Sequence, residues 1–181
     1  MTDWTRSLVL PHGAVTITPN TIHSVGAAAG TFGLAASATW VTANAAIYVP
    51  FRIAQPLTVV KLFMLNGAAV SGNVDVGIYG ISDAGTPTRM VSSGSTAQSG
   101  VSVIQEFNIT DTLIGPGLFY LALAVDNTTA TFLRQVTLIA NLELLGAAQQ
   151  ATAFPLPATA TFAVVTSSYL PMFGLTGRVV V

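Results

Sequence analysis

"LTVVKLFMLNGAAVSGNVDVGIYG", residues 57–80, decides the fold class. Leu57 to Leu65 reads as the strongest strand of the chain, closed by the turn pair Asn66-Gly67. Beyond the turn, Val74, Val76 and Ile78 alternate with Asn73, Asp75, Gly77 and Tyr79, the pattern of a strand with two unlike faces. Asp75 is one of only seven acidic residues in a chain of 181. Whether it serves chemistry or only the polar side of a strand decides whether an enzyme is worth seeking.

The same rhythm extends outward. "AAIYVPFRI" (45–53) is strand-like, with Pro50 marking an edge or bulge. A turn at Asp83-Ala84-Gly85 precedes a short strand in "TRMVSSGS" (88–95), and "VIQEFNI" (103–109) alternates. "GPG" (115–117) turns the chain into "LFYLALAV" (118–125), which ends at Asp126-Asn127. Short strands with turn signals between them predict an all-β antiparallel sandwich, jelly-roll-like, with an extended N-terminal arm and one short helix.

The helix belongs to "RQVTLIANLELLGAAQQ" (134–150), where Val136, Ile139, Ala140 and Leu144 have helical spacing and Gly146 is a C-terminal stop. Val136, Leu138 and Ala140 also alternate, so strand stays open over 134–147. "ATAFPLPATATF" (151–162), with two prolines, reads as an extended loop, and "GRVVV" (177–181) as a closing strand. Residues 1–30 read as an arm, its short β-prone runs broken by Pro11 and Pro19, and 31–181 as the sandwich domain. There is no internal repeat.

Charge is the unusual feature of the composition. Asp, Glu, Lys and Arg make up 7% of the chain and the net charge is −1, against about 25% charged residues in ordinary soluble domains. Weak long-range fields argue against a nucleic-acid partner. Mean hydropathy is +0.67, yet "GLFYLALAV" (117–125) is far shorter than the roughly 20 apolar residues of a spanning helix. The N-terminal "MTDWTRSLVLPHG" lacks the basic and apolar regions of a signal peptide. These features predict a soluble, non-secreted chain without a membrane partner. No cysteine is present, which removes disulfides and thiolate chemistry. A surface of Ala, Thr, Ser, Gly, Asn and exposed apolar groups favours association.

Across residues 45–127, "AIYVPFRI", "VDVGIY", the short Asp-x-Gly hairpin and "TDTLIGPGLFYLAL" form a pattern that resembles β-sandwich proteins of tailed-phage virions. The layout is also similar to jelly-roll carbohydrate-binding modules, in which a Pro-Gly turn leads into a Tyr-rich strand. The resemblance implies a virion structural or accessory role and transfers no functional residue. Trp4 and Trp40 both lie outside the matching region.

Candidate sites each have a structural alternative. Asp75, Asp126 and Glu106 supply carboxylates of the kind Ca²⁺ prefers, but no Asp-x-Asp-x-Asp loop is present. The structural alternative puts Asp75 on a solvent face, paired with Lys61 or Arg89, and makes Asp126 a turn cap. His12 and His23 are the only histidines, with no Gly-x-Ser-x-Gly elbow and no zinc spacing to accompany them. "GAAAGTFG" (26–33) lacks the lysine of a phosphate loop and reads as a hinge. A sugar platform would draw on Tyr79, Tyr120, Phe119 or Trp40, although strand aromatics more often belong to the core. The sequons at Asn108 and Asn127 matter only in a secreted eukaryotic chain.

The expectation is a non-catalytic virion protein that decorates a capsid or serves the head or tail, without cofactor or metal. Its partners are identical subunits and other virion proteins, with a surface glycan under the carbohydrate-binding alternative. The expected contacts are Trp4, Leu8, Val9, Leu10 and Ile17 in the arm, with Phe154, Leu156, Tyr169 and Phe173 toward the C-terminus. All are apolar groups in irregular segments.

Overall fold

The computed structural model describes residues 15–16, 21–23 and 34–179. The first strands are β1 (Val15–Thr16), β2 (Thr21–His23), β3 (Leu34–Thr39), β4 (Ala45–Ile53) and β5 (Leu57–Leu65). Next come β6 (Asn73–Ile81), β7 (Pro87–Ser92), β8 (Thr96–Ala97), β9 (Ile104–Ile114), β10 (Gly117–Val125) and β11 (Thr131–Val136). After helix α1 (Ile139–Leu144) follow β12 (Ala148–Gln150), β13 (Ala163–Val164), β14 (Tyr169–Pro171) and β15 (Phe173–Val179).

Two antiparallel sheets form the sandwich. One has the order β1-β2-β15-β5-β9 and the other β13-β12-β4-β10-β6-β7, with β8 also on β6. A smaller sheet, β14-β11-β3, adds Phe132, Tyr169 and Leu170 to the main core. The chain alternates between the two large sheets at β4, β5 and β6 and again at β9, β10 and β15, which is the connectivity of a jelly roll. Residues 15–16 and 21–23, within the expected arm, extend the first sheet of the same chain, with His23 opposite Gly174 and Thr21 opposite Thr176.

The main core lies between the sheets. Val49, Leu121 and Ile78 align across β4, β10 and β6, and pack with Leu62, Met64, Phe107, Phe173 and Leu175 of the opposing sheet. Pro50 fits inside β4 because β12 pairs only with Ala46 to Tyr48, leaving that flank of Pro50 without a strand among the described residues.

The opposite face of the second sheet is also buried. Ala46, Tyr48, Ala122, Ala124 and Tyr79 form a second core with Ala153, Leu156 and Ala160, so residues 151–162 lie as a strap over the strands. Small residues make the room. A Cβ at Gly77 would stand 2.8 Å from Leu156 Cδ1 and 3.0 Å from the Val91 carbonyl oxygen.

The segment 134–150 resolves the helix–strand ambiguity by division. Arg134 to Val136 pair with Pro171 to Tyr169, and the helix occupies only Ile139–Leu144. Gly146, with φ +77°, takes the left-handed conformation that suits a glycine stop.

Candidate functional site

The buried acid sits beneath the strap. Asp75 projects from β6 onto the covered face and is fully buried, which corrects the solvent-face expectation. The period-two pattern identified the face but did not identify its cover. Lys61 pairs with Glu106 at 2.6 Å on the outer surface of the other sheet, not with Asp75. The Asp75 carboxylate accepts hydrogen bonds from the Leu156 N–H at 3.0 Å and the Ser93 hydroxyl at 3.3 Å. Around it, Arg89 Nη1 donates to the Leu156 carbonyl and the Tyr79 hydroxyl donates to the Pro157 carbonyl at 2.5 Å.

Burial pushes the Asp75 carboxyl above its usual range. Hydrogen bonds from Leu156, Ser92 and Ser93 and the charge of Arg89 oppose that shift without cancelling it. Burial also raises the Tyr48 hydroxyl to about 12 and moves Tyr79 in the same direction. With both phenols held neutral, these groups act as hydrogen-bond fixtures. Asp75 and Tyr79 pin backbone atoms of the strap, while the Tyr48 hydroxyl donates to the Gln150 side chain at 3.1 Å.

The other carboxylates lie elsewhere. Asp126 accepts from Asn73 Nδ2 at 3.0 Å and from Asn127 Nδ2 at 2.5 Å, so it ties the end of β10 to the start of β6. The turn itself is capped by Asn127, whose Oδ1 accepts the Thr129 and Ala130 N–H groups, each at 2.8 Å. Asp111 pairs with Arg178 at 2.7 Å. Among the described residues, no three His, Asp or Glu side chains gather as a metal site.

A polar network supports the opposite end of β5. Asn66 is buried, donates to the Ser99 carbonyl at 2.6 Å and accepts from Gln98 Nε2 at 2.9 Å. Gln98 also donates to the Thr131 carbonyl at 3.0 Å, and its Oε1 accepts the Ser71 N–H at 2.8 Å. The Asn66-Gly67 pair does end β5, but as a packed junction: a Cβ at Gly67 would lie 2.6 Å from Thr131 Oγ1.

The aromatic candidates are largely internal. Tyr79 and Phe119 are buried, and Tyr120 stacks obliquely on Phe162 with centroids 4.7 Å apart. Trp40 is buried too, edge-on to Phe132 and Tyr169 at 5.6 and 5.7 Å. It lines a cleft of about 290 Å³ with Thr42, Gln149, Gln150, Thr166 and Ser167. Among the described residues, no side chain lining the cleft is charged near neutral pH: Tyr169 is the one ionisable group, and burial raises its hydroxyl. Sequence reasoning singled out Trp40 and Tyr169 separately, one as a sugar platform and one as a partner contact, and joined neither to Thr42, Gln149, Gln150, Thr166 and Ser167, which share no local pattern with them.

Of the expected contact residues, Leu156, Tyr169 and Phe173 are buried within the chain and Phe154 is half-buried. The second core takes Leu156 and Phe154, and the main core takes Tyr169 and Phe173, which corrects the premise that a sandwich core has no room for apolar groups from irregular segments. Trp4, Leu8, Val9, Leu10 and Ile17 lie outside the described residues, as does His12. His23 stands in β2.

No protein-family model, curated protein or solved structure matches this chain.

Proposed function

We propose that the protein is a non-catalytic structural subunit that works by assembling, as a capsid-decoration or head–tail accessory component of a tailed-phage virion. The observation that carries the assembly reading is the inverted character of α1. Leu142 alone enters the core, while Leu138 and Leu144 are 68% and 84% exposed. A short helix that turns leucines outward in a chain with net charge −1 is suited to burial against another protein surface. A second exposed apolar group, Val101, Val103 and Ile104, lies on and beside the loop that the Asn66–Gln98 network anchors. A partner meeting that loop would encounter a surface already fixed by hydrogen bonds.

The virion setting rests on the likeness of residues 45–127 to phage sandwich proteins. Mass spectrometry of purified particles from the phage or prophage that encodes the chain tests it directly. Recovery in stoichiometric amounts supports the reading; absence from intact particles removes it. Light scattering on the purified chain tests assembly separately.

A further inference from the structure

We propose that the cleft beside Trp40 is a binding site for a neutral saccharide, held by hydrogen bonds along its rim and not by ring stacking. This goes beyond the assembly reading and does not depend on it.

The lining selects the ligand class. A phosphate, carboxylate or ammonium entering the cleft would lose water and meet no oppositely charged side chain among the described lining residues, a substantial cost. A purely apolar ligand would bury the rim amides and hydroxyls without partners. A neutral polyhydroxylated ring avoids both penalties. Its hydroxyls meet the amides and hydroxyls of the rim, and its C–H face meets the apolar side chains of Ile47 and Val165.

Specific groups are available for it. Trp40 lines the cleft with its Nε1 buried and without an acceptor among the described residues, so the indole reports on the cleft while the rim amides and hydroxyls are the groups that meet a ligand. Gln150 uses its Oε1 for the Tyr48 hydroxyl at 3.1 Å and the Thr161 N–H at 2.8 Å, which fixes the side chain and leaves Nε2 without an acceptor among the described residues. The Thr42 and Ser167 hydroxyls likewise make no hydrogen bond among the described residues, and both line the cleft. One wall is already organised: Gln149 Nε2 donates to Thr166 Oγ1 at 3.0 Å, and the Thr166 N–H donates to Gln149 Oε1 at 3.0 Å. Little conformational freedom remains to be lost there on binding. Stacking is excluded by packing, because Phe132 and Tyr169 already crowd the indole.

The test is a titration of the ¹⁵N-labelled full-length chain with glucose, galactose and N-acetylglucosamine, each followed by NMR. Glucose 6-phosphate and N-acetylneuraminic acid serve as charged comparisons, and the Trp4→Phe variant assigns the Trp40 indole signal. We expect at least one neutral sugar to shift the Trp40 indole and Gln150 side-chain signals saturably, with a Kd of roughly 1 mM. Both charged sugars should bind at least about tenfold more weakly, the factor that roughly 1.4 kcal/mol of uncompensated desolvation produces. Thr42→Val and Ser167→Ala should each weaken binding about fivefold, the worth of one uncharged hydrogen bond. If either variant fails to fold, intermolecular NOEs from the sugar to Trp40 in the wild-type chain carry the test. No saturable shift up to about 50 mM of any neutral sugar, far above the millimolar range, overturns the proposal. So does equal binding of the charged sugars, or binding that both variants leave unchanged.

Discussion

The Asp75 carboxylate holds the backbone N–H of Leu156, 81 residues further along the chain, at 3.0 Å. One buried acid thereby fixes the strap to the sheet it covers. Replacing it with alanine strands the Leu156 N–H and frees Ser93. Asp75→Ala should lower stability by about 1–3 kcal/mol, the usual cost of an unsatisfied buried polar group. Hydrogen exchange should localise the change to residues 153–160, and unchanged protection there would remove the anchoring role.

The pH dependence of this anchor has an uncommon sign. Burial raises the folded-state pKa of Asp75, so the folded chain binds its proton more tightly than the unfolded chain does. The carboxyl therefore favours folding most below its unfolded pKa, and that contribution is lost as pH rises through the folded value. Asp126 behaves oppositely: burial alone would raise it, but hydrogen bonds from Asn127 and Asn73 prevail and lower it. Its contribution is present above the unfolded pKa and is lost as pH falls through the folded one. Denaturant titrations between pH 3 and pH 7 should show wild type gaining on Asp75→Asn as the solution is acidified. Over the same range wild type should lose its advantage over Asp126→Asn. Parallel profiles for the two variants would refute the assignment.

Gly77 records how closely the strap lies. An added methyl would collide with Leu156 Cδ1 and the Val91 carbonyl oxygen. Gly77→Ala should cost about 1–3 kcal/mol through overpacking. Leu156→Ala, which opens space on the strap side, should couple with it non-additively and recover part of that loss. A double-mutant cycle by thermal unfolding measures the coupling; strict additivity would place the clash elsewhere.

The strap also marks where sequence reading reaches its limit. Leu57–Leu65 was legible to the residue, because a strand rich in β-branched and large apolar side chains between clear turn signals has few alternatives. Alternation separates Asp75 from the core-facing Val74, Val76 and Ile78, but it reports only that two faces differ, and the solvent expected over Asp75 is in fact the strap. "LFYLALAV" held the missing signal: Leu118 to Val125 is apolar on both faces, as expected of a strand covered on both sides. The division of 134–147 was not legible, since three strand residues and a six-residue helix satisfy both periods. The cleft left no local trace, because its rim is assembled from residues more than a hundred positions apart.

The Asn66–Gln98 network should be as sensitive as the Asp75 anchor. Gln98 satisfies Asn66 Oδ1, the Thr131 carbonyl and the Ser71 N–H from a single side chain. Gln98→Ala removes all three partners at once, and a half-satisfied buried network is worse than none. A loss of about 2–3 kcal/mol is expected, at the upper end of the cost of an unsatisfied buried group. Faster exchange should appear over 66–71 and 97–105, while the strap keeps its protection. A loss spread evenly over the chain would argue against a local network.

The exposed leucines of α1 separate stability from assembly. Leu138 and Leu144 contribute little to the fold, because Leu142 carries the contact of the helix with the core. Changing both to serine should therefore alter unfolding free energy by no more than about 0.5 kcal/mol per site, as is usual for surface substitutions. If these side chains are buried between copies, the same changes remove apolar area at about 25 cal/mol per Å² from each side of the contact. Light scattering across a dilution series should then show the wild-type chain as an oligomer and the Leu138→Ser, Leu144→Ser double variant shifted toward monomer at unchanged melting temperature. A wild-type monomer at every concentration would exclude self-association through α1. An oligomer indifferent to the double change would place the contact elsewhere, with Val101, Val103 and Ile104 the next surface to alter.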